Sequence, residues 1–137
     1  MGLIEETAAY ETWLASHVSV LEEGLREKHD LMARTPFRFF RATCYRFART
    51  LSAIVPDSPD APIVPSVGDA HVENFCTWRD GEGRLVWGVN DFDEAAALPS
   101  SYDLMRLATS ARRAPGAEGP GRERVEAILD GYRVGLD

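Results

Sequence analysis

Apolar residues recur at helical spacing from the start of the chain. Leu3, Tyr10, Trp13, Leu14, Val18, Leu21 and Leu25 share one face, while Glu, Arg and Lys fill the other. The pattern predicts one amphipathic helix over residues 3–32, with Gly24 as the place for a break. Thr35-Pro36 opens a second helix, since a threonine hydroxyl caps free backbone N–H groups and the fixed φ of proline suits the first turn. Phe37, Phe40, Cys44, Phe47, Leu51 and Ile54 then line one face, an aromatic stripe of the kind that packs into a core. Residues 56–65 carry Pro56, Pro59, Pro62 and Pro65 and read as a loop, with residues 63–67 a short extended entry to the next motif. Residues 75–78 and 84–90 read as strands joined by Asp80-Gly81-Glu82-Gly83, a hairpin turn signal. Trp78 and Trp87 are expected to face each other across that ribbon. Beyond Pro99, Ser100 or Ser101 caps a helix to about residue 113, with Asp103 in its first turn. A Pro/Gly loop spans residues 114–121, and a last helix begins near Arg122 and is expected to run to the chain end. The expectation is an α+β fold: two N-terminal helices, a central β-hairpin carrying acidic loops, and two C-terminal helices. It is read as one domain with a helical part (1–55), a Pro-rich loop (56–66) and a hairpin-plus-helices part (67–137).

Composition narrows the class. A chain of 137 residues with 45% hydrophobic and 27% charged residues fits a globular domain with its own core. No apolar run approaches the roughly 20 residues that span a bilayer. The acidic start MGLIEETAAYE resembles no secretory signal, and Glu6 breaks the myristoylation pattern. Cytoplasmic residence is therefore expected. Cys44 and Cys76 are too far apart in sequence for a CxxC site, and neither a zinc site nor a structural disulfide is expected. A net charge of −7 disfavours nucleic acid, which is bound by displacing counterions with Lys and Arg. Arg41, Arg46 and Arg49 read as a solvated helix face.

The chemistry concentrates at the base of the hairpin. Asp69, His71, Glu73 and Asn74 precede its first strand, and Asn90, Asp91, Asp93 and Glu94 follow its second. A hairpin returns the chain beside its own start, with strands about 4.8 Å apart, so the two acidic ends meet whichever register the turn selects. Crowded carboxylates repel unless their charge is met. The two ends contain no Arg or Lys, which leaves a hard divalent cation with oxygen ligands, magnesium above all, as the expected solution. His17 and His29 read as helix-surface residues rather than ligands.

Three separated motifs closely match the bacterial family known as domain of unknown function 2252: Gly68-Asp69-Ala70-His71-Val72-Glu73-Asn74-Phe75, Asn90-Asp91-Phe92-Asp93-Glu94-Ala95 and Tyr102-Asp103-Leu104-Met105-Arg106-Leu107-Ala108. The run from Met32 to Thr43 matches the family's entry motif. A more distant resemblance is to aminoglycoside phosphotransferases and related kinase-like enzymes, which show a G-D-x-H-x-x-N loop, a hairpin, an I-D-[FW] segment and a downstream D-L in the same order. That resemblance implies part of a kinase-like C-lobe, with magnesium and ATP as cofactors. Asp69 would be the catalytic aspartate that orients a hydroxyl and takes its proton, and His71 would brace the loop. Asn74 and Asp91, with Asp93, would hold the metal. Arg41 and Glu73 fall to the cofactor side, Arg41 either approaching a phosphate or pairing with a motif aspartate. Asp103 would anchor the helix under the site, and Gly68 would give structural support.

The partners so implied are a nucleotide and a small-molecule or protein hydroxyl acceptor. Family members usually run a few hundred residues further, and residues before Gly68 show neither GxGxxG nor a strand-borne lysine. The chain is therefore expected to be an N-terminal fragment, with the nucleotide-gripping parts elsewhere. Two alternatives stand beside this. One is a non-catalytic fragment or binding module that self-associates through uncovered apolar helix faces. The other is a metal-dependent phosphohydrolase, which ordinarily needs more histidines than the three present.

Overall fold

The computed structural model describes residues 2–57, 60–114, 116–117 and 120–136. Pro59 of the proline-rich loop, several residues of the 114–121 loop and the terminal Asp137 lie outside the described residues. The chain is α+β and divides into two compact units, Met1–Thr50 and Leu51–Asp137.

The first unit is helical: α1 (Leu3–His17), α2 (Glu22–Met32), α3 (Pro36–Ala42) and most of α4 (Cys44–Ile54), whose last residues belong to the second unit. Each of the two expected helices is thus broken, and the first not at Gly24, which sits inside α2. The break falls after His17, where Ser16 Oγ and His17 Nδ1 both reach the Trp13 carbonyl, at 2.6 and 2.8 Å, and Val18 turns extended. Such bonds to a carbonyl three and four residues back compete with helical geometry and bend the chain away from it. The second break is at Thr43, whose Oγ1 donates to the Phe39 carbonyl at 2.8 Å while its backbone leaves helical geometry. Thr35 caps α3 as expected, accepting from Arg38 N at 3.2 Å. Phe37 and Cys44 are buried here, Tyr10 stacks on Tyr45 at 4.2 Å between ring centroids, and buried Glu6 pairs with Arg46. Lys28 lies 5.1 Å from the Tyr10 ring centroid and 3.7 Å from Glu11, so the chain's single lysine takes part in helix packing.

The second unit nests one antiparallel ladder inside another. The outer ladder pairs β1 (Ile63–Ser66) with β4 (Ala96–Pro99), Ser66 standing opposite Ala96. The inner one is the expected hairpin, β2 (Phe75–Arg79) and β3 (Leu85–Val89), with Phe75 opposite Val89. Strand β4 is an addition to the sequence expectation. Two helices come after it, α5 (Ser101–Arg113) and α6 (Gly121–Val134), so the last helix stops short of the chain end. Ser100 precedes α5 without a side-chain capping bond.

The tryptophans do not face each other. The register sets Trp78 opposite Val86 and Trp87 opposite Thr77, on alternate faces of the ribbon. Trp87 instead stacks on its diagonal neighbour Phe75 at 5.1 Å, and Trp78 lies over Gly88. On α6 and just beyond it, Leu129, Tyr132, Val134 and Leu136 are exposed, as are Ile4 and Trp13 on α1. No helix among the described residues is long and apolar enough to cross a membrane.

Asp80 organises the hairpin tip. Its Oδ1 accepts from Glu82 N and Arg84 N at 2.9 and 3.0 Å, and its Oδ2 accepts from Arg84 Nε at 2.8 Å. The Arg84 guanidinium, with the backbone N–H groups, holds the Asp80 carboxyl below its ordinary 3.8. Because folding lowers this pKa, its contribution is complete above 3.8 and is lost as pH falls through the folded-state value. The protection of the Glu82 and Arg84 amides relative to their intrinsic exchange rates, followed by NMR, is therefore expected to fall as pH drops through the folded-state value, and Asp80→Asn to show the lower protection already at neutral pH.

Candidate functional site

The two ladders determine where the chemistry-bearing residues go. The outer ladder holds Ser66 beside Ala96 and the inner one holds Phe75 beside Val89, so loops 67–74 and 90–95 are pinned at both ends. They run side by side. Gly68 has φ +83, and a Cβ there would sit 2.0 Å from the Glu94 carbonyl oxygen. Glycine is required twice over, for the left-handed backbone and for the close approach.

At the other end of the loops, buried Asn74 joins them. Its Nδ2 donates to the Asp91 carbonyl at 2.9 Å and to the Asp69 carbonyl at 3.3 Å, while its Oδ1 accepts from Asp91 N at 2.8 Å. The backbone ladder continues beside it, with Asn90 N donating to the Asn74 carbonyl at 2.9 Å. Asn74 sits at the end of a 3-10 turn, Val72–Asn74, and acts as an amide clamp between loops.

Helix α5 supports the first loop through one polar stripe. Asp103, Arg106 and Ser110 are spaced by three and four residues and so share a face. Asp103 accepts from Val67 N at 2.7 Å and from Gly68 N at 3.0 Å. Arg106, fully buried, donates from Nε to Asp69 Oδ1 at 2.8 Å and also reaches that oxygen through Nη2. Ser110 Oγ accepts from Val72 N at 3.1 Å and donates to the Leu107 carbonyl. The stripe thus meets residues 67–72 in chain order, with Asp103 at the Val67–Gly68 end.

Charge neutralisation departs from the sequence expectation. Asp69 is met by a guanidinium from α5, a residue that counting charges at the hairpin ends alone overlooks. One signal for it lies in the sequence: Arg106 comes three residues after Asp103 within the third matched motif. His71 is buried with its Nε2 3.4 Å from Asp69 Oδ2. Asp91, Asp93 and Glu73 are exposed, and Asp93 N donates to Asp91 Oδ1 at 3.1 Å. Among the described residues no three His, Cys, Asp or Glu side chains gather to hold a metal. Arg41 lies exposed on α3 in the first unit. Cys44 and Cys76 are not joined in a disulfide.

A family model described as an uncharacterised protein conserved in bacteria, DUF2252, matches residues 21–134. The chain belongs to the DUF2252 family. No curated protein and no solved structure matches it. The DUF2252 match takes in both loops and the whole α5 stripe, and it leaves α1 outside.

Two substitutions test how this DUF2252 loop is held. Gly68→Ala forces a Cβ into backbone at a positive φ and is expected to cost at least about 3 kcal/mol in urea denaturation. Asp103→Asn turns an NH2 toward one of the two backbone N–H groups, and a loss of about 2–3 kcal/mol is expected by the same measurement.

Proposed function

We propose that this DUF2252 chain carries the catalytic-loop part of a phosphotransferase that moves a phosphoryl group from a magnesium nucleotide to an acceptor hydroxyl. The observation that supports the reading is the Asn74 clamp, which joins the Asp69 loop to the Asp91 loop in the order kinase-like enzymes use. Asp69 is an oriented, partly exposed carboxylate on a loop whose backbone is bonded from beneath. Such a group suits the task of aligning a hydroxyl. In the proposed step the acceptor oxygen bonds to the γ-phosphorus and its proton passes to Asp69. The bond from that phosphorus to the bridging oxygen breaks, and the electron pair leaves with the nucleoside diphosphate.

The donor set bears on where magnesium would sit. Asn74 is buried and its amide oxygen accepts Asp91 N, which leaves that oxygen one lone pair for a metal. The exposed carboxylates of Asp91 and Asp93 fit a ligand role, since magnesium commonly takes one or two carboxylates and completes its shell with water and phosphate oxygens. When bound it would neutralise phosphate charge. Glu73, exposed on the Asp69 loop, stays on the cofactor side of the proposal.

A second reading, a non-catalytic binding module, draws on the same commitment of Asn74 and Arg106 to internal bonds. Calorimetry with magnesium and ATP, together with an ADP-release assay, separates the two. The phosphotransferase reading expects saturable Mg-ATP binding that weakens at least about tenfold in Asp91→Ala. It expects ADP release to fall at least about a hundredfold in Asp69→Asn with affinity retained. Absence of any Mg-ATP affinity in the wild-type chain would leave the binding-module reading.

A further inference from the structure

Arg106 does not share itself evenly over the Asp69 carboxylate. Its Nε donates to Oδ1 at 2.8 Å and its Nη2 reaches the same oxygen, so two charged N–H groups converge on one atom. The other oxygen, Oδ2, has a different neighbour: His71 Nε2 at 3.4 Å, beyond ordinary hydrogen-bond distance. The Asp69 side chain keeps 19% of its surface exposed, while Arg106 has 0% and His71 2%. Solvent therefore meets this group of three through Asp69. Rotation of the carboxylate to exchange its oxygens would break two charge-assisted bonds to a guanidinium that has no access to water.

From this asymmetry we infer that Arg106 is a positioning residue: it locks Oδ1 of Asp69 so that Oδ2 is the one oxygen presented to an acceptor hydroxyl. The inference rests on the phosphotransferase reading for the identity of the incoming group, and on the geometry alone for the lock. Arginine is the side chain suited to it. Nε and Nη2 lie in one rigid plane, and both reach one oxygen, whereas a lysine ammonium is a point charge that cannot fix the carboxylate plane. Arg106 approaches from α5, behind the loop, and touches no incoming molecule. The inferred effect passes through its bonds to Asp69.

The test uses the full chain with Arg106→Lys, Arg106→Gln, Asp69→Asn and the double variant Asp69→Asn/Arg106→Gln. The probe is Mg-ATP with glycerol as a generic hydroxyl acceptor, ADP formation being followed together with the unfolding equilibrium in urea. A misaligned carboxylate is expected to lower kcat in Arg106→Lys at least about tenfold, with KM for Mg-ATP within about twofold, since loss of alignment slows the step without touching the nucleotide. A merely structural arginine would leave kcat of the folded Arg106→Lys protein near wild type, and that result overturns the inference. The urea measurements form a double-mutant cycle. Each single change is expected to shift the unfolding constant far more than additivity with the double variant allows, by a coupling of at least about tenfold. Additive shifts would mean that Arg106 does not hold Asp69, and they overturn the inference whatever the kinetics. If the wild-type chain forms no ADP, the phosphotransferase reading fails by itself, and the cycle still decides the lock.

Discussion

A guanidinium removed from water is the constraint around which the second unit is arranged. Arg106 has no exposed surface, and the desolvation of such a charge is tolerated only where an opposite charge and hydrogen bonds replace the lost hydration. Asp69 supplies the charge. Once that pair forms, the loop cannot drift from α5, because moving it would leave a cation stranded in the interior. The bonds from Val67 and Gly68 to Asp103, and from Val72 to Ser110, then run along the same helix face. One ion pair sets the loop's position and its neighbours set the path of its backbone.

The second loop depends on the first. Glu94 passes against Gly68, where no side chain intervenes, and Asp91 is bonded through its own N–H and carbonyl to Asn74. The carboxylates of Asp91 and Asp93 are therefore carried on backbone that is fixed at Asn74 and held by strands at either end. Rigid backbone with exposed carboxylates is an arrangement suited to a charged ligand whose own atoms complete the contacts. The first loop orients one carboxylate internally, and the second leaves its own turned to solvent.

Much of this is legible in the residues. The Asp-Gly-Glu-Gly turn marks the hairpin, and the hairpin alone requires the two acidic segments to meet. The third matched motif puts Asp103 on the helix under the site, and its carboxylate bonds Val67 N and Gly68 N. The features that escape the sequence are non-local. Strand β4 is short, and only its partner β1, some thirty residues earlier, makes Ala96–Pro99 extended. Arg106 looks like an ordinary helix-surface charge because periodicity does not reveal which face a loop will cover. The helix breaks at His17 and Thr43 depend on side chains that bond carbonyls three or four residues back, a competition that apolar spacing does not register. Sequence separation alone sets the two tryptophans face to face, and only the register of the ribbon puts them on alternate sides.

The nesting of the ladders also implies an order of assembly. The inner ribbon joins residues close in sequence, so it closes against little chain entropy, whereas β1 and β4 must find each other across the whole intervening segment. Formation of the ribbon first shortens that search by drawing residues 75 and 89 together, leaving two brief spans to organise. Loops 67–74 and 90–95 are those spans. Both ladders must be paired before the two spans are held at each end, so the paths of these loops depend on the inner and the outer strands together.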